Sequence, residues 1–433
     1  MQHILEKIVQ GCVNLNRFLH FKLSQKAKLR SQSKIKGCHM TGLSPVRALI
    51  ALTVLLSATI SLSPIAVADT SNSSDSVESK YFRHIMFRES PWANYRGIHP
   101  IDTDAPPAVA HYQFDYDSEQ RVVAIRYQIN NDLIDDNQVW DSFIWFAPGV
   151  KIEYGESTEL HTYYNVNGEQ VAVHGDVYSA RYSLDEDGNR TSLHFYNEEN
   201  QPSQNAWNIH HYEWRYNNGI VNEKRFDLSD IQQPMRPVLQ FYEVNLEYDD
   251  KGQLAFIRNL GTTGEPTNND SGAGIDRIVY DQYGNFVRWQ VYDKDGNPVE
   301  GNRPMVHVGE HLYDQFGNKV GMRGFDRYGN QVPFSWSAYE HVYTFDDYGN
   351  QRASDSFSKS GELEVSIIRT YTNDNSRLKS ISTVSETGER IPSPVLSGAA
   401  YVEFNYDENG NRTHQFFNAD GSPLRTSETS STN

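Results

Sequence analysis

From about residue 181 onward, apolar and polar residues alternate with a period of two, in short runs that each end at a Gly-centred cluster. The clearest copy is Tyr280–Pro298, YDQYGNFVRWQVYDKDGNP, where Val287, Trp289 and Val291 alternate with Phe286, Arg288, Gln290 and Tyr292. Turn signatures flank the run at Asp281–Asn285 and Asp293–Asn297. An Asp side chain can accept from nearby backbone amides and Gly tolerates φ > 0, so each signature predicts a tight hairpin turn.

The same unit recurs. First turns carry Gly188, Gly219, Gly252, Gly284, Gly317, Gly349 and Gly410, with Ser376 standing in once, and advance by 31, 33, 32, 33, 32, 27 and 34 residues. Second turns carry Gly264, Gly296, Gly329, Gly361, Gly388 and Gly421, with Asn200 and Asp230 in the first two units. A proline often follows, as at Pro202, Pro234, Pro266 and Pro298, where it cannot donate to a ladder and marks the end of a strand. This spacing predicts an all-β fold: eight tandem antiparallel β-hairpin repeats of about 32 residues over 181–425, forming one extended, twisted or curved sheet, solenoid-like or open. Each unit should hold a short strand between its turns, a proline-marked connection and a longer return strand.

Upstream, Tyr112–Ile129 reads as a hairpin turning at Asp117–Gln120, and Tyr163–Gly168 as a degenerate half-unit, within an N-terminal capping region over 81–180. Tyr81–Tyr95 is expected to begin with a short helix stopped by Pro91, and Ile98–Pro107, with three prolines, to be a loop. Trp140, Trp145 and Phe146 suit a capping core. The polar segments 69–80 and 426–433 read as a flexible linker and a disordered tail.

Charge changes the picture at the N-terminus. Of 39 Lys and Arg and 56 Asp and Glu, nine bases and one acid (Glu6) fall in residues 1–68, so the remainder carries 30 bases against 55 acids, a net −25. That balance argues against a nucleic-acid-binding surface and against anionic lipid. Residues 48–68, ALIALTVLLSATISLSPIAVA, follow Arg47 and end in a small-residue pattern, the form of a secretory signal cleaved after Ala68, with Met40 as its natural start. The competing reading is an uncleaved N-terminal membrane anchor. With cleavage, no stable membrane insertion is expected and the body is exported, periplasmic or secreted. Both cysteines, Cys12 and Cys38, lie in the leader, so disulfides and thiolate chemistry are excluded from the mature chain. The tail lacks the closing apolar-aromatic strand of an outer-membrane barrel.

Candidate chemistry is sparse. Asp185–Asn189, Asp293–Asn297 and Asp407–Asn411 invite a calcium reading, but none has the carboxylate set of an EF-hand loop, and turn chemistry accounts for the same residues. No cofactor and no dedicated metal site are predicted; weak, shared calcium binding by the acidic body stays open. His210 with His211, and His307 with His311, lack zinc-ligand spacing. No nucleophile elbow or phosphate-cradling glycine loop occurs, so no catalytic residue is assigned. Aromatic residues make up 12% of the chain. Trp207, Trp214, Arg288, Trp289 and Trp336 are the candidate binding residues, as an exposed ladder for sugar rings or a partner's apolar strip, against the plainer reading that the rings pack the sheet.

The YDxxGN-type turns and the segment YYNVNGEQ resemble bacterial hairpin repeats of the YD (RHS) kind and variant MORN repeats. The resemblance implies a sheet wound into a shell or spiral in the first case and an open, twisted sheet in the second. The chain departs from YD proteins in its period of about 32 residues and in lacking an evident core-associated or toxin segment. The expectation is an exported, non-enzymatic β-repeat protein that binds an envelope protein or glycan through an acidic, aromatic surface. Two alternatives stand beside it: an envelope glycan or peptide hydrolase with a carboxylate or His site in a groove, and a YD-like shell or carrier for another polypeptide.

Overall fold

The computed structural model describes residues 78–134, 147–336, 338–374, 377–407 and 412–424. The leader with Cys12 and Cys38, Trp140, Trp145, Phe146, the turn positions Ser376 and Gly410, and the tail 426–433 lie outside the described residues. The N-terminal part contributes β1 (Glu78–Ile85), β2 (Gly97–Ile101), β3 (His111–Tyr116), β4 (Val122–Ile129), β5 (Asp132–Leu133), β6 (Gly149–Tyr154) and β7 (Thr158–Tyr164). Hairpins follow as β8 (Ser179–Leu184) with β9 (Arg190–Tyr196), β10 (His211–Asn217) with β11 (Ile220–Phe226), β12 (Glu243–Tyr248) with β13 (Leu254–Leu260), and β14 (Ile275–Tyr280) with β15 (Phe286–Tyr292). The chain continues through β16 (Val308–Tyr313), β17 (Lys319–Phe325), β18 (Gln331–Val332), β19 (Glu340–Phe345), β20 (Gln351–Phe357), β21 (Leu363–Tyr371), β22 (Leu378–Ser385), β23 (Tyr401–Tyr406) and β24 (Arg412–Phe417).

Among the described residues there are 24 strands, and all belong to one antiparallel sheet that does not close on itself. Its order is β2, β1, β3, β4, β6 and then the sequence order to β24, with β5 and β18 as short additions beside β4 and β17. The hairpin-repeat, all-β architecture expected from the alternation is therefore what forms. Among the described first turns, those at Gly188, Gly252, Gly284, Gly317 and Gly349 share one chemistry, while β10 and β11 are joined by the two-residue turn Asn218–Gly219. In the turn after β14, Asp281 Oδ1 accepts from the amides of Tyr283 and Asn285, Oδ2 accepts from Asn285 Nδ2, and Gly284 sits at φ +90. A type I turn closed by a glycine bulge is the result, and the ladder shifts register at Tyr280. Asn200 and Asp230, the stand-ins for Gly, take φ of 55 and 59.

Three local expectations are corrected. No helix forms over Tyr81–Tyr95; residues 78–85 are β1, because its aromatic and β-branched side chains pair with β3 and β2 on both edges and Phe82 meets Phe114 edge-on. Residues 97–101 form β2 rather than loop; Pro100 is tolerated because β2 is an edge strand with no further neighbour to receive a donor. The return strands are not consistently longer: β12, β14, β16 and β19 have six residues against seven in β13, β15, β17 and β20, and β21 alone of these later return strands is longer, with nine. The extra residues lie in the connections, where the second turn folds back to a single bridge such as Tyr292 to Pro298.

The sheet is strongly curled. About fourteen strand spacings separate β3 from β19, roughly 70 Å if the sheet were flat. Yet the Ala110 amide, just before β3, donates to Tyr348 O in the turn after β19 at 2.8 Å. Inside the curl, one hydrophobic core runs from Phe114 and Ile125 through Tyr182, Phe195, Trp214 and Leu246 to Val291, and a smaller one gathers Tyr371, Leu378, Ile381, Val402 and Phe404. Residues 86–96, between β1 and β2, form a strap pressed against this inner face.

Candidate functional site

The strap is held by side chains of the surrounding hairpins, and its anchors form a connected polar site. Arg190, the first residue of β9 and 6% exposed, donates through Nη1 to the carbonyls of Pro91, Trp92 and Ala93 at 2.9, 3.0 and 3.1 Å. It is aimed by Glu159 of β7, whose carboxylate accepts from Arg190 Nε at 3.0 Å and Nη2 at 2.5 Å. His161 Nε2 shares that carboxylate. Burial alone would favour a protonated Glu159, but the hydrogen bond from His161 and the Arg190 charge outweigh it and hold the carboxyl at about 2. Burial keeps His161 below the usual imidazole range.

A second anchor lies one hairpin along from Arg190. Glu223 of β11 accepts from Ser90 of the strap, from Trp214 Nε1 and from Arg225 Nη1, while Arg225 Nη2 also donates to Phe241 O and Tyr242 O. Glu89 of the strap pairs with Arg236 at 3.2 Å. Beside that pair, Asp276 accepts from Asn302 at 2.8 Å; burial pushes its carboxyl up to about 7 against the opposing charge of Arg236. At its far end the strap passes into β2, where His99 Nε2 meets Asn285 Oδ1 at 2.8 Å and the ring stacks near Tyr283.

Where the strap emerges, the turns of successive hairpins ring a mouth of about 980 Å³. Gln120 and Arg121, Glu156, Asn189, Gly219 and Lys251 come from five different turns and form its rim. Trp92, Tyr116, Tyr154, Tyr216 and Tyr248 form its aromatic lining. Tyr216 is 53% exposed and stacks on Trp92 at 6.0 Å, and Arg121 covers the Tyr154 ring at 4.4 Å. Burial pushes the Tyr154 hydroxyl up to about 12. A second cleft, of about 1160 Å³, lies where the first hairpins face the last, between Asn130–Ile134 and Phe404–Tyr406.

The five residues singled out from sequence do not share one surface. Trp214 is buried on the inner face, stacked on Tyr182 and Tyr212 and tied to Glu223. Trp289 is half-buried on the same face and lies flat over Gly309, where any Cβ would fall within 1.8 Å of its ring. Arg288, adjacent in the strand, points to the opposite face and reaches Glu310 at 3.7 Å. Trp207 sits in a connection, edge-on to His174 at 4.3 Å. Trp336 is exposed in another connection, stacked on Phe334 at 4.7 Å and donating to His341 Nε2.

The mouth residues escaped the sequence reading because they come from the strap and from turns that look like any other turn. Arg190 follows an ordinary GN signature; the contacts that distinguish it are 97–99 residues away in the chain. The turn carboxylates that invited calcium are engaged within their own turns. Asp185 and Asp293 each accept two backbone amides on Oδ1 and an Asn side chain on Oδ2, and those Asn hydrogen bonds keep both carboxyls below their usual range, while residues 408–411 of the third candidate lie outside the described residues. Among the described residues no three His, Cys, Asp or Glu side chains are grouped as a metal site.

No family model matches the chain, and no curated protein matches it. Among solved structures it is similar to a porin-like protein from Bacteroides uniformis ATCC 8492, at 10% identity over 71% of this chain and 92% of that one, with a TM-score of 0.21.

Proposed function

We propose that this is an exported, non-enzymatic β-repeat protein of the cell envelope that binds a glycan or protein partner at the mouth around its strap. The observation that carries the reading is the composition of that mouth. Exposed or half-buried rings of Trp92, Tyr116, Tyr154 and Tyr216 stand beside Gln120, Asn94 and Asn189, side chains that can bond hydroxyls in either direction. Flat rings with amides at their edge suit a sugar face, so the glycan is the favoured partner. The ionisable groups there support binding rather than turnover. Glu159 is ionised and fully engaged by Arg190 and His161, and Tyr154 holds its proton, so neither is poised to exchange protons near neutral pH. The shell or carrier reading draws less support, because the inner face is filled by the chain's own core and strap.

Envelope glycan fragments titrated against the purified protein test the proposal. Binding should weaken about tenfold in Tyr216→Ala and be unchanged in Trp336→Ala, which lies in a distant connection. Equal binding by both variants, or turnover of the glycan, overturns it. N-terminal sequencing of exported protein tests cleavage after Ala68.

A further inference from the structure

Beneath the strap, several polar groups are fully enclosed without a protein partner. Arg88 is 2% exposed; its Nη1 donates to Ala93 O at 2.6 Å and its guanidinium lies 3.8 Å from the Tyr95 ring centroid, but Nε and Nη2 are unpartnered. The hydroxyls of Tyr163 and Tyr182, both 0% exposed, are unpartnered too, as is the Tyr95 hydroxyl. These groups are neighbours. The Tyr95 ring lies 5.8 Å from His161, and His161 lies 4.9 Å from Tyr182. The Arg88 charge acts on His161, Tyr163 and Tyr182 alike.

The charges here do not balance. Arg190 lies over the Tyr182 ring at 4.1 Å, so two guanidiniums share the region. One carboxylate, Glu159, faces them, and it is taken by Arg190 and His161. The strap's own Glu89 turns to Arg236, and Glu223 is engaged by Arg225, Trp214 and Ser90. An enclosed guanidinium with free N–H groups and no counter-ion is costly, and a buried polar group without a partner signals a bound water or ion.

We propose that Arg88, with the Tyr163 and Tyr182 hydroxyls as further donors, binds one small monovalent anion of the halide class beneath the strap. The anion accepts from Arg88 Nε or Nη2 and from the phenols, and it supplies the missing negative charge. A neutral water can accept two of these hydrogen bonds but leaves the charge unbalanced. Bound there, the anion ties the strap to β7 and β8 and thereby helps shape the mouth above it.

Crystals grown with sodium bromide provide the direct test: an anomalous peak is expected within hydrogen-bond reach of Arg88 and the two phenols. In solution, the melting temperature should be higher by about 2 °C or more in sodium chloride or bromide than in sodium gluconate at equal ionic strength. The halide-specific increment should disappear in the Tyr163→Phe/Tyr182→Phe double variant and in Arg88→Met. If Arg88→Met does not fold, the wild-type crystal and the phenol variant still decide. Non-anomalous density of ordered water at that position, or a melting temperature indifferent to halide against gluconate, overturns the proposal.

Discussion

Individual turn glycines in this chain meet two separate demands. Gly188 and Gly317 both sit near φ +80, but a Cβ on Gly188 would meet nothing within 4 Å, whereas one on Gly317 would fall within 2.4 Å of the His99 ring. Gly188→Ala should therefore cost only the left-handed conformation, about 1 kcal/mol, and Gly317→Ala roughly twice that or more, measured by urea unfolding. A comparable split holds for the repeat tyrosines. Tyr313, Tyr371 and Tyr406 donate to Phe286 O, Gln351 O and Leu378 O, each at the start of a strand in the preceding hairpin pair or repeat arm. The hydroxyl of Tyr280, at the same position of its own unit, is enclosed without a partner. Replacing Tyr406 by Phe should destabilise by about 1 kcal/mol, while Tyr280→Phe should be neutral or stabilising by a similar amount. The sequence shows the Tyr at each position but not which hydroxyl finds a carbonyl, because the acceptor lies on another strand.

At the scale of elements, the hairpins form by local rules and the strap does not. A turn such as Asp281–Asn285 carries its own acceptor, donor and glycine within five residues, so its geometry is readable from the chain. The strap has no such pattern. It is positioned instead by Arg190, Glu223 and Arg236, residues brought from three other elements. Arg190→Met leaves Glu159 buried against His161 alone and releases three carbonyls, so a loss of about 3 kcal/mol is expected, together with faster amide exchange and proteolysis at residues 86–96. Since the folded carboxyl of Glu159 is held below its unfolded value, its contribution is present above the unfolded carboxylate range and is lost as pH falls towards about 2.

For the whole molecule, curl matters more than strand count. If the sheet is rolled as described, the Ala110 amide is protected by Tyr348 O and should exchange as slowly as strand amides; exchange at the rate of an exposed loop would mean an unrolled sheet. Enclosure also sets a pH dependence. Asp276 has a folded carboxyl raised to about 7, so the folded state binds more protons than the unfolded one between the ordinary carboxylate range and that value. Stability from this group is complete at low pH and falls as pH rises through about 7. Urea unfolding of Asp276→Asn should show a flatter profile over that window and, at pH above 7, a gain on the order of 1 kcal/mol.

Period-two alternation and Asp–Gly turn chemistry are properties of neighbours in the chain, so the sequence alone determined the all-β class, the hairpin repeat and the positions of its corners. Distance along the chain decides what it could not determine. The ladder pairing of β1 and β2 and the face on which each aromatic lies depend on strand partners outside the local turn, and the path of the strap and the mouth above it on contacts across roughly a hundred residues or more. Arg288 and Trp289 are adjacent in sequence, yet the pleat sends one to the outer face and the other to the core. The turns were legible as hairpin corners; that five of them converge around one opening is a consequence of the curl of the sheet, and curl is set by tertiary packing.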